Sequence, residues 1–111
     1  MLSALFGNSS IEKILFFLLM NKTCYGTQLS TIFNMPVSNV QKALQRLELG
    51  GIIASTLVGK TRIYQFNPRY PFLKELEVFL KKAYTFLPES TRNRYYCQTV
   101  RKRPRRSGKP L

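Results

Sequence analysis

The feature that most constrains this chain is residues 35–51, MPVSNVQKALQRLELGG, because this segment has a defined start, a defined end and two unlike faces. Pro36 suits the first turn of a helix, where its missing N–H costs nothing. Gly50 and Gly51 supply the left-handed conformation that commonly ends a helix. The segment therefore predicts a helix over residues 36–49. Its inward face carries the apolar residues that recur at helical spacing, which are Val37, Val40, Ala43, Leu44 and Leu47.

The opposite face of this predicted helix is polar and contains no carboxylate. It carries Ser38, Asn39, Gln41, Lys42, Gln45 and Arg46. Hydroxyl, amide and cationic groups can donate to phosphates and to base edges in the major groove of DNA, so we predict that these six residues bind DNA. A solvated helix face is the ordinary alternative, and the segments on either side of the helix decide between the two interpretations.

Two shorter helices are predicted before it. The first covers residues 9–21, with Ser9 or Ser10 as its cap and Ser9 and Glu12 at capping-box spacing. It is apolar on nearly all sides, which indicates burial on more than one side, and a second subunit is one candidate cover. The second covers residues 27–33, with Thr27 as its cap. Two helices joined by a short turn, the second with a polar outer face, are typical of a helix-turn-helix.

After Gly51 the apolar period changes from 3.6 to 2. The runs IIASTLV and TRIYQFN are separated by Gly59 and Lys60, and together they predict a hairpin over residues 52–67. Lys60 and Arg62 then lie at or near the exposed tip. Two cations at a hairpin tip are ordinary, but a hairpin directly after a recognition-type helix is the wing of a winged helix, so we predict that both residues contact DNA.

A last helix is predicted over residues 71–87, ending before Pro88. Its apolar residues cover more of the helical wheel than one packing face needs, so part of this surface is available to a second copy of the chain. A helix that merely closes the core of a monomer is the alternative. The predicted dimer interface takes residues from the first and last helices, namely Phe16, Phe17, Phe72, Leu76, Phe79, Leu80, Ala83 and Leu87.

The charge of the 111-residue chain is strongly positive, with 18 Lys and Arg against 5 acidic residues and a formal net charge of +13. Residues 92–111 contain eight basic and no acidic residues. This charge predicts a polyanionic partner, with nucleic acid as the first candidate and an anionic membrane surface as the second. Residues 91–111 are predicted to be a disordered basic tail, either an arm on phosphates or a solubility tail. Its phosphate-binding candidates are Arg101, Lys102, Arg103, Arg105 and Arg106.

The composition also excludes several classes of protein. The chain has no His and no Asp, and Cys24 and Cys97 are far apart, so we expect no metal site, no cofactor and no disulfide framework. Two ordinary small side chains are preferred over a thiol sensor at these cysteines, and a reducing, cytoplasmic location near the nucleoid is expected. No catalytic constellation is present, so an enzyme is not expected. The apolar run over residues 14–20 is too short to span a membrane.

Three helices, a wing and a fourth helix resemble the ArsR-like winged helix-turn-helix regulators. The runs ALQRLELGGII and GKTRIYQFNP within residues 4–88 carry the resemblance, which is closest to a prokaryotic subgroup often encoded near, or fused to, small nucleotidyltransferase domains. It implies that residues 37–46 read DNA. Pro36 departs from the family, where a Ser or Thr cap is common, and the basic tail is not part of the family pattern. The metal-sensing members use clustered Cys, His and Asp ligands, which this chain lacks.

These observations predict a mainly α protein with a small β-hairpin (α+β), organised as a winged helix-turn-helix with an added C-terminal helix. The predicted domain covers residues 1–90. The predicted function is that of a dimeric, sequence-specific regulator of transcription that binds double-stranded DNA, most simply as a repressor. Two other functions stay open: an adaptor that docks on a partner protein such as a nucleotidyltransferase, and an RNA-binding accessory protein.

Overall fold

The computed structural model describes residues 2–97 and has a winged helix-turn-helix architecture. A short helix, α1 (Ser3–Phe6), precedes α2 (Ser9–Asn21), and β1 (Thr23–Cys24) leads into α3 (Gly26–Phe33). The elements that follow are α4 (Val37–Leu49), the hairpin strands β2 (Ile53–Val58) and β3 (Thr61–Phe66), α5 (Leu73–Tyr84), α6 (Glu89–Thr91) and a π-helical turn (Arg92–Tyr96). The mainly α, winged-helix fold predicted from the sequence is confirmed.

The three strands form one antiparallel sheet in the order β1-β3-β2. The sheet extends the predicted hairpin by one strand, because the two-residue β1 pairs with β3 through Thr23 opposite Gln65 and Cys24 opposite Tyr64. Within the hairpin, Ser55 lies opposite Tyr64 and Leu57 lies opposite Arg62. Cross-strand partners share a face of the sheet, and this register decides which wing side chains face the helices.

The first predicted helix has a different cap from the one expected. Asn8, not Ser9 or Ser10, is the cap of α2, and its side-chain oxygen accepts a hydrogen bond from the backbone N–H of Ile11 at 2.9 Å. With Asn8 as the cap, Ile11 and not Glu12 takes the third position of a capping box, and the Glu12 carboxylate accepts from the backbone N–H of Leu2 at 2.8 Å. The α2 helix therefore begins as predicted at residue 9, but its N-terminal hydrogen bonds tie it to the preceding segment.

The turn of the helix-turn-helix is fixed by Ser30 and Asn34. The hydroxyl of Ser30 donates to the carbonyl of Met35 at 2.5 Å, and the Met35 N–H donates to the carbonyl of Ser30 at 3.1 Å. Asn34 has a φ of 53°, the left-handed conformation that an Asn tolerates better than most residues. Pro36 caps α4, and its carbonyl accepts from the N–H of Asn39 and of Val40. The entry to α4 is therefore held by side-chain and backbone hydrogen bonds together.

The other end of α4 is joined to the base of the wing. Gly51 has a φ of 79°, which supplies the predicted left-handed termination, and the N–H of Ile52 donates to the carbonyl of Leu47. Asn67, at the end of the hairpin, donates from its side chain to the carbonyl of Gly51 at 2.9 Å and from its backbone to that of Ile52. These bonds fix where the hairpin starts and ends relative to α4.

The hydrophobic core is organised around α2, which is buried on several sides as its sequence predicts. It packs against α1, β1, α4, α5 and the π-helical turn. The inward face of α4 contributes Val40, Ala43, Leu44 and Leu47, all buried as expected, whereas Val37 is exposed. The chain therefore covers most of the apolar surface of α2 by itself, while Leu19 and Met20 are half-buried.

The C-terminal boundary differs from the prediction. The helix predicted over residues 71–87 is α5, which covers Leu73–Tyr84. Helical structure resumes at residue 89 and continues to residue 96, whereas the sequence predicts a disordered tail from residue 91. The C-terminal segment (residues 89–97) packs on the core because Tyr96, 4% exposed, contacts Phe16, Phe33 and Tyr84. Residues 98–111, including the five basic residues predicted to bind phosphates, lie outside the described part of the chain.

Candidate nucleic-acid interface

The six polar residues predicted to face DNA share one exposed surface of α4. Each of them is exposed to solvent, and the buried residues of the helix lie on the opposite side. The carboxylate nearest to this surface in sequence is Glu48, at the C-terminal end of α4. The surface therefore presents two cations and four neutral hydrogen-bonding groups along the helix, a combination suited to phosphate oxygens and base edges.

A groove of about 270 Å³ runs between α4 and the wing. Gln41 from α4 lines one wall, and Lys60 and Arg62 from the wing line the other. The structure thus brings three of the predicted site residues together from two elements. The groove is also lined by residues that sequence reasoning had not assigned to the site, which are Tyr25, Gly26, Thr27, Leu44, Thr61 and Tyr64.

The electrostatic character of this groove is set by Arg62, Glu48 and Tyr64. Burial and then the nearby Glu48 carboxylate raise the pKa of Tyr64 above its usual value, while Arg62 acts in the opposite direction. A tyrosine is protonated at neutral pH even at its ordinary pKa of about 10, so Tyr64 offers a neutral hydroxyl beside Lys60 and Arg62, which line the same groove.

A second groove, of about 340 Å³, lies on the other side of α4, between this helix and the start of α2. Asn39, Lys42 and Arg46 line it from α4, and Asn8 and Ser10 line it from the α2 side. The Arg46 guanidinium lies close to Gly7, since a Cβ atom built on this glycine would be 3.5 Å from Nη1. The exposed ridge of α4, with Ser38 and Gln45, is therefore flanked by a polar, cationic groove on each side.

The sequence contains only weak indications that the other residues lining the two grooves belong to the site. Asn8 and Ser10 belong to a run of helix-capping residue types, which reads as local structure and not as part of a site. Tyr25 caps α3 and Thr27 lies in its first turn, and only the tertiary fold brings them beside the wing tip. In the described part of the chain, no three His, Cys, Asp or Glu side chains cluster in a way that could hold a metal ion. None of the described helices has the length and apolar character needed to cross a membrane.

The predicted dimer interface is only partly available. Phe16, Phe17, Leu80 and Ala83 are buried inside the chain's own core, so assigning them to a dimer interface was wrong. The physical reason is packing within the chain: the Tyr96 ring of the C-terminal segment lies 5.7 Å from that of Phe16, and the Phe17 ring contacts that of Phe33. Leu80 and Ala83 belong to α5, which packs against α2. Phe72 and Phe79 remain exposed, while Leu76 and Leu87 are half-buried.

The exposed apolar surface of α5 and its flanking residues also contains Val78 and Phe86, which were not predicted. Their side chains are 64% and 69% exposed, and that of the predicted Phe72 is 62% exposed. Together with Phe79 they form a stripe along the helix and its flanking residues. We call these four residues the α5 stripe. Large exposed apolar patches mark interaction surfaces more often than scattered single residues do.

Comparison with known proteins adds little to these observations. No protein-family model matches the chain, and no curated protein matches it. One solved structure that matches is that of Lactococcus lactis ZitR, in the apo form of a double mutant, with 17% sequence identity and a TM-score of 0.49. The match covers 75% of this chain and 72% of that chain. The winged-helix assignment stands on the element order and sheet topology of this chain itself.

Proposed function

We propose that this protein is a dimeric, sequence-specific regulator of transcription that binds double-stranded DNA, acting as a repressor of the ArsR-like winged-helix type. The observation that carries the proposal is the surface of α4, where Ser38, Asn39, Gln41, Lys42, Gln45 and Arg46 are all exposed on one side, with a polar, cationic groove on either flank. A helix of this kind fits the major groove of B-DNA. The proposal places the protein in the cytoplasm, at the nucleoid.

Different parts of this surface contact base edges and phosphates in the proposed complex. Ser38, Asn39, Gln41 and Lys42 belong to the N-terminal half of α4, the part of a recognition helix that reads base edges in helix-turn-helix proteins. Gln45 and Arg46 follow towards the C-terminal end and contact bases or phosphates. Lys60 and Arg62 supply phosphate contacts from the wing, and the basic residues beyond residue 97 add contacts that are independent of sequence.

A second copy of the chain is the partner that best fits the α5 stripe. Exposed Glu75 and Lys82 flank Val78 and Phe79 at nearly equal distances along α5. If two copies of the helix pack antiparallel about a two-fold axis near residues 78–79, Glu75 of one copy meets Lys82 of the other. Such a surface is complementary to itself in charge and apolar character. Two-fold symmetry then implies a palindromic site with half-sites about one helical turn apart.

The α5 stripe also supports a second candidate function. The same exposed apolar side chains would suit docking on a different protein, such as a nucleotidyltransferase, with the winged helix as an adaptor. The two candidates differ in solution, because the regulator forms a homodimer by itself and the adaptor stays monomeric until its partner is added. Sedimentation equilibrium of the purified chain separates them.

The test of DNA reading is selection from a pool of random-sequence duplexes. It compares the whole chain with a version that ends at Cys97, which keeps Tyr95 and Tyr96 in the core. We expect both versions to enrich the same palindrome, with the shorter one weaker at every salt concentration. If the shorter version enriches no sequence and loses its affinity, the winged helix does not read DNA and the basic residues beyond Cys97 are a general grip on polyanions.

A further inference from the structure

The guanidinium of Arg62 is joined to α4 by a chain of two hydrogen bonds. Nη1 of Arg62 donates to Oγ of Ser55 at 3.0 Å, and the Ser55 hydroxyl donates to Oε2 of Glu48 at 2.7 Å. These three residues belong to β3, β2 and the end of α4 in turn. The two hydrogen bonds therefore connect the wing to α4, and the Arg62 side chain does not extend freely from the hairpin tip.

The register of the hairpin makes this arrangement possible. Ser55 lies opposite Tyr64, and Leu57 lies opposite Arg62, so these four side chains share one face of the hairpin. Arg62 and Tyr64 both line the groove between α4 and the wing, so this face is turned towards α4. The hydroxyl of Ser55 can accept one hydrogen bond and donate another, and it uses both functions here.

We propose that Glu48 and Ser55 are positioning residues for Arg62, which hold its guanidinium over the groove between α4 and the wing, where it meets a phosphate of the bound DNA. The inference rests on the proposed DNA-binding function and specifies how one contact of that site is made. A guanidinium has five N–H donors, and the bond to Ser55 uses one of them. Donors therefore remain for a phosphate oxygen while Glu48 and Ser55 keep the group in place.

Removal of the Glu48 carboxylate is expected to change the affinity for DNA in the direction opposite to that expected from charge alone. Glu48 is an acidic residue at the edge of a surface that faces a polyanion. If it acted only through its charge, its removal would strengthen DNA binding. If it positions Arg62, removal of the hydrogen-bond acceptor weakens binding instead, although the protein becomes more positive. The two roles are therefore separated by the direction of the effect.

A pair of substitutions at Glu48 provides the test. Glu48→Ala and Glu48→Gln remove the same charge, but the Gln side chain keeps an oxygen that can accept from Ser55. Affinity for the selected duplex is measured by fluorescence anisotropy over a range of salt concentrations. We expect Glu48→Ala to weaken binding about three- to tenfold and to lower the salt slope by about 0.9, as for one lost phosphate contact, while Glu48→Gln stays near wild type.

Ser55 provides an independent arm. Ser55→Ala is expected to weaken binding as Glu48→Ala does, and Ser55→Thr, which keeps the hydroxyl, to retain it. Thr56→Ala is the matched control, since this exposed hydroxyl lies on the opposite face of the same strand. Glu89→Gln removes an exposed carboxylate outside the wing. Both controls are expected to bind the selected duplex within about twofold of wild type.

A double-mutant cycle with Arg62→Ala completes the test. Positioning through Arg62 requires that Glu48→Ala and Ser55→Ala cause no further loss once Arg62 is absent. The inference is overturned if Glu48→Ala and Glu48→Gln strengthen binding equally, or if the losses are unchanged in the Arg62→Ala background. If the wild-type protein selects no duplex, the proposed function itself fails, and this result is distinct because it precedes every variant.

Discussion

The side-chain amide of Asn21 donates a hydrogen bond of 2.9 Å to the main-chain carbonyl of Tyr96, across 75 residues of sequence. The same amide donates to the carbonyl of Phe17, one turn earlier in α2. Asn21 is buried, and so is the Tyr96 ring, which packs between Phe16, Phe33 and Tyr84. The C-terminal segment is therefore an integral part of the winged-helix core.

Removal of the Tyr96 ring is expected to destabilise the protein strongly. Tyr96→Ala deletes a buried aromatic side chain, so the free energy of unfolding should fall by about 3 kcal/mol. Leu49→Ala, at a side chain that is 89% exposed, is expected to change it by less than about 0.5 kcal/mol. Urea unfolding followed by circular dichroism measures both.

A chain that ends at Ser90 should lose more stability than Tyr96→Ala, because it also lacks Tyr95, which stacks on Phe33. Equal stability of this chain and the wild type would contradict the assignment of residues 91–97 to the core.

The sequence predicted those parts of the fold whose signals are local. The face of α4 that contains Val40, Leu44 and Leu47 follows from helical spacing, and the hairpin follows from two β-rich runs around Gly59. A hairpin that directly follows α4 in the sequence then indicates a winged helix. The polar face of α4 was predicted for the same reason, since residues on one side of a helix are set by a period of 3.6.

The sequence did not predict the parts that depend on tertiary packing. The two-residue strand β1 exists because β3 offers it backbone partners, and no periodicity can be read from two residues. Tyr95 and Tyr96 lie in a stretch whose basic composition predicts a tail, although two adjacent aromatic residues also indicate burial. Without this segment α2 has an uncovered apolar surface, which is why the sequence predicts Phe16 and Phe17 at a dimer interface. The bond from Arg62 to Ser55 likewise depends on strand register.

Gly51 is expected to be more sensitive to substitution than Gly50, although the two are neighbours. Gly51 has a φ of 79°, and a Cβ there would meet no atom within 4 Å, so the cost of Gly51→Ala is conformational, about 1 kcal/mol. Gly50 has a φ of −77°, which Ala adopts readily. Thermal unfolding of the two variants provides the comparison. An equal loss at both positions would mean that the left-handed termination of α4 does not matter for stability.

Stability should also fall at alkaline pH because of Cys24. Burial raises the pKa of this thiol from 9.0 to about 12, so the folded protein keeps the proton that the unfolded chain releases above pH 9. The stabilisation is complete below pH 9 and is lost as the pH rises towards 12. Between pH 8 and pH 10 the wild type should lose about 1 kcal/mol more than Cys24→Ala. Urea unfolding under reducing conditions measures the difference. Parallel pH profiles would show that another group is responsible.

Lys42→Ala is expected to reduce binding to the selected duplex about tenfold and binding to scrambled duplex much less, because a side chain that contacts a base edge contributes to sequence discrimination. Lys42 is exposed on α4 and lines the groove shared with the start of α2. Lys81→Ala makes the same change of charge on α5 and should affect both duplexes slightly and alike. Fluorescence anisotropy with matched and scrambled duplexes is the measurement. Equal losses on both for Lys42→Ala would assign this residue to phosphate contact alone.

The last prediction concerns the pairing of Glu75 with Lys82 in the proposed dimer. Both residues are exposed, and they flank Val78 and Phe79 on the α5 stripe. Glu75→Lys places like charges opposite each other at two symmetry-related positions, and Lys82→Glu does the same with the opposite sign, so each should weaken the dimer about tenfold or more. The double variant restores opposite charges and should recover most of the dimer.

Sedimentation equilibrium at low salt measures this recovery, and Phe86→Ala tests the apolar part of the same surface. Glu77→Lys, on the same helix outside the stripe, controls for the change of net charge. Rescue by the double variant requires that Glu75 and Lys82 face each other across an antiparallel two-fold interface, since a change of net charge alone cannot produce it. A dimer that is unaffected by Glu75→Lys, Lys82→Glu and Phe86→Ala would be formed by another surface. A chain that is monomeric throughout would favour the adaptor function of the α5 stripe.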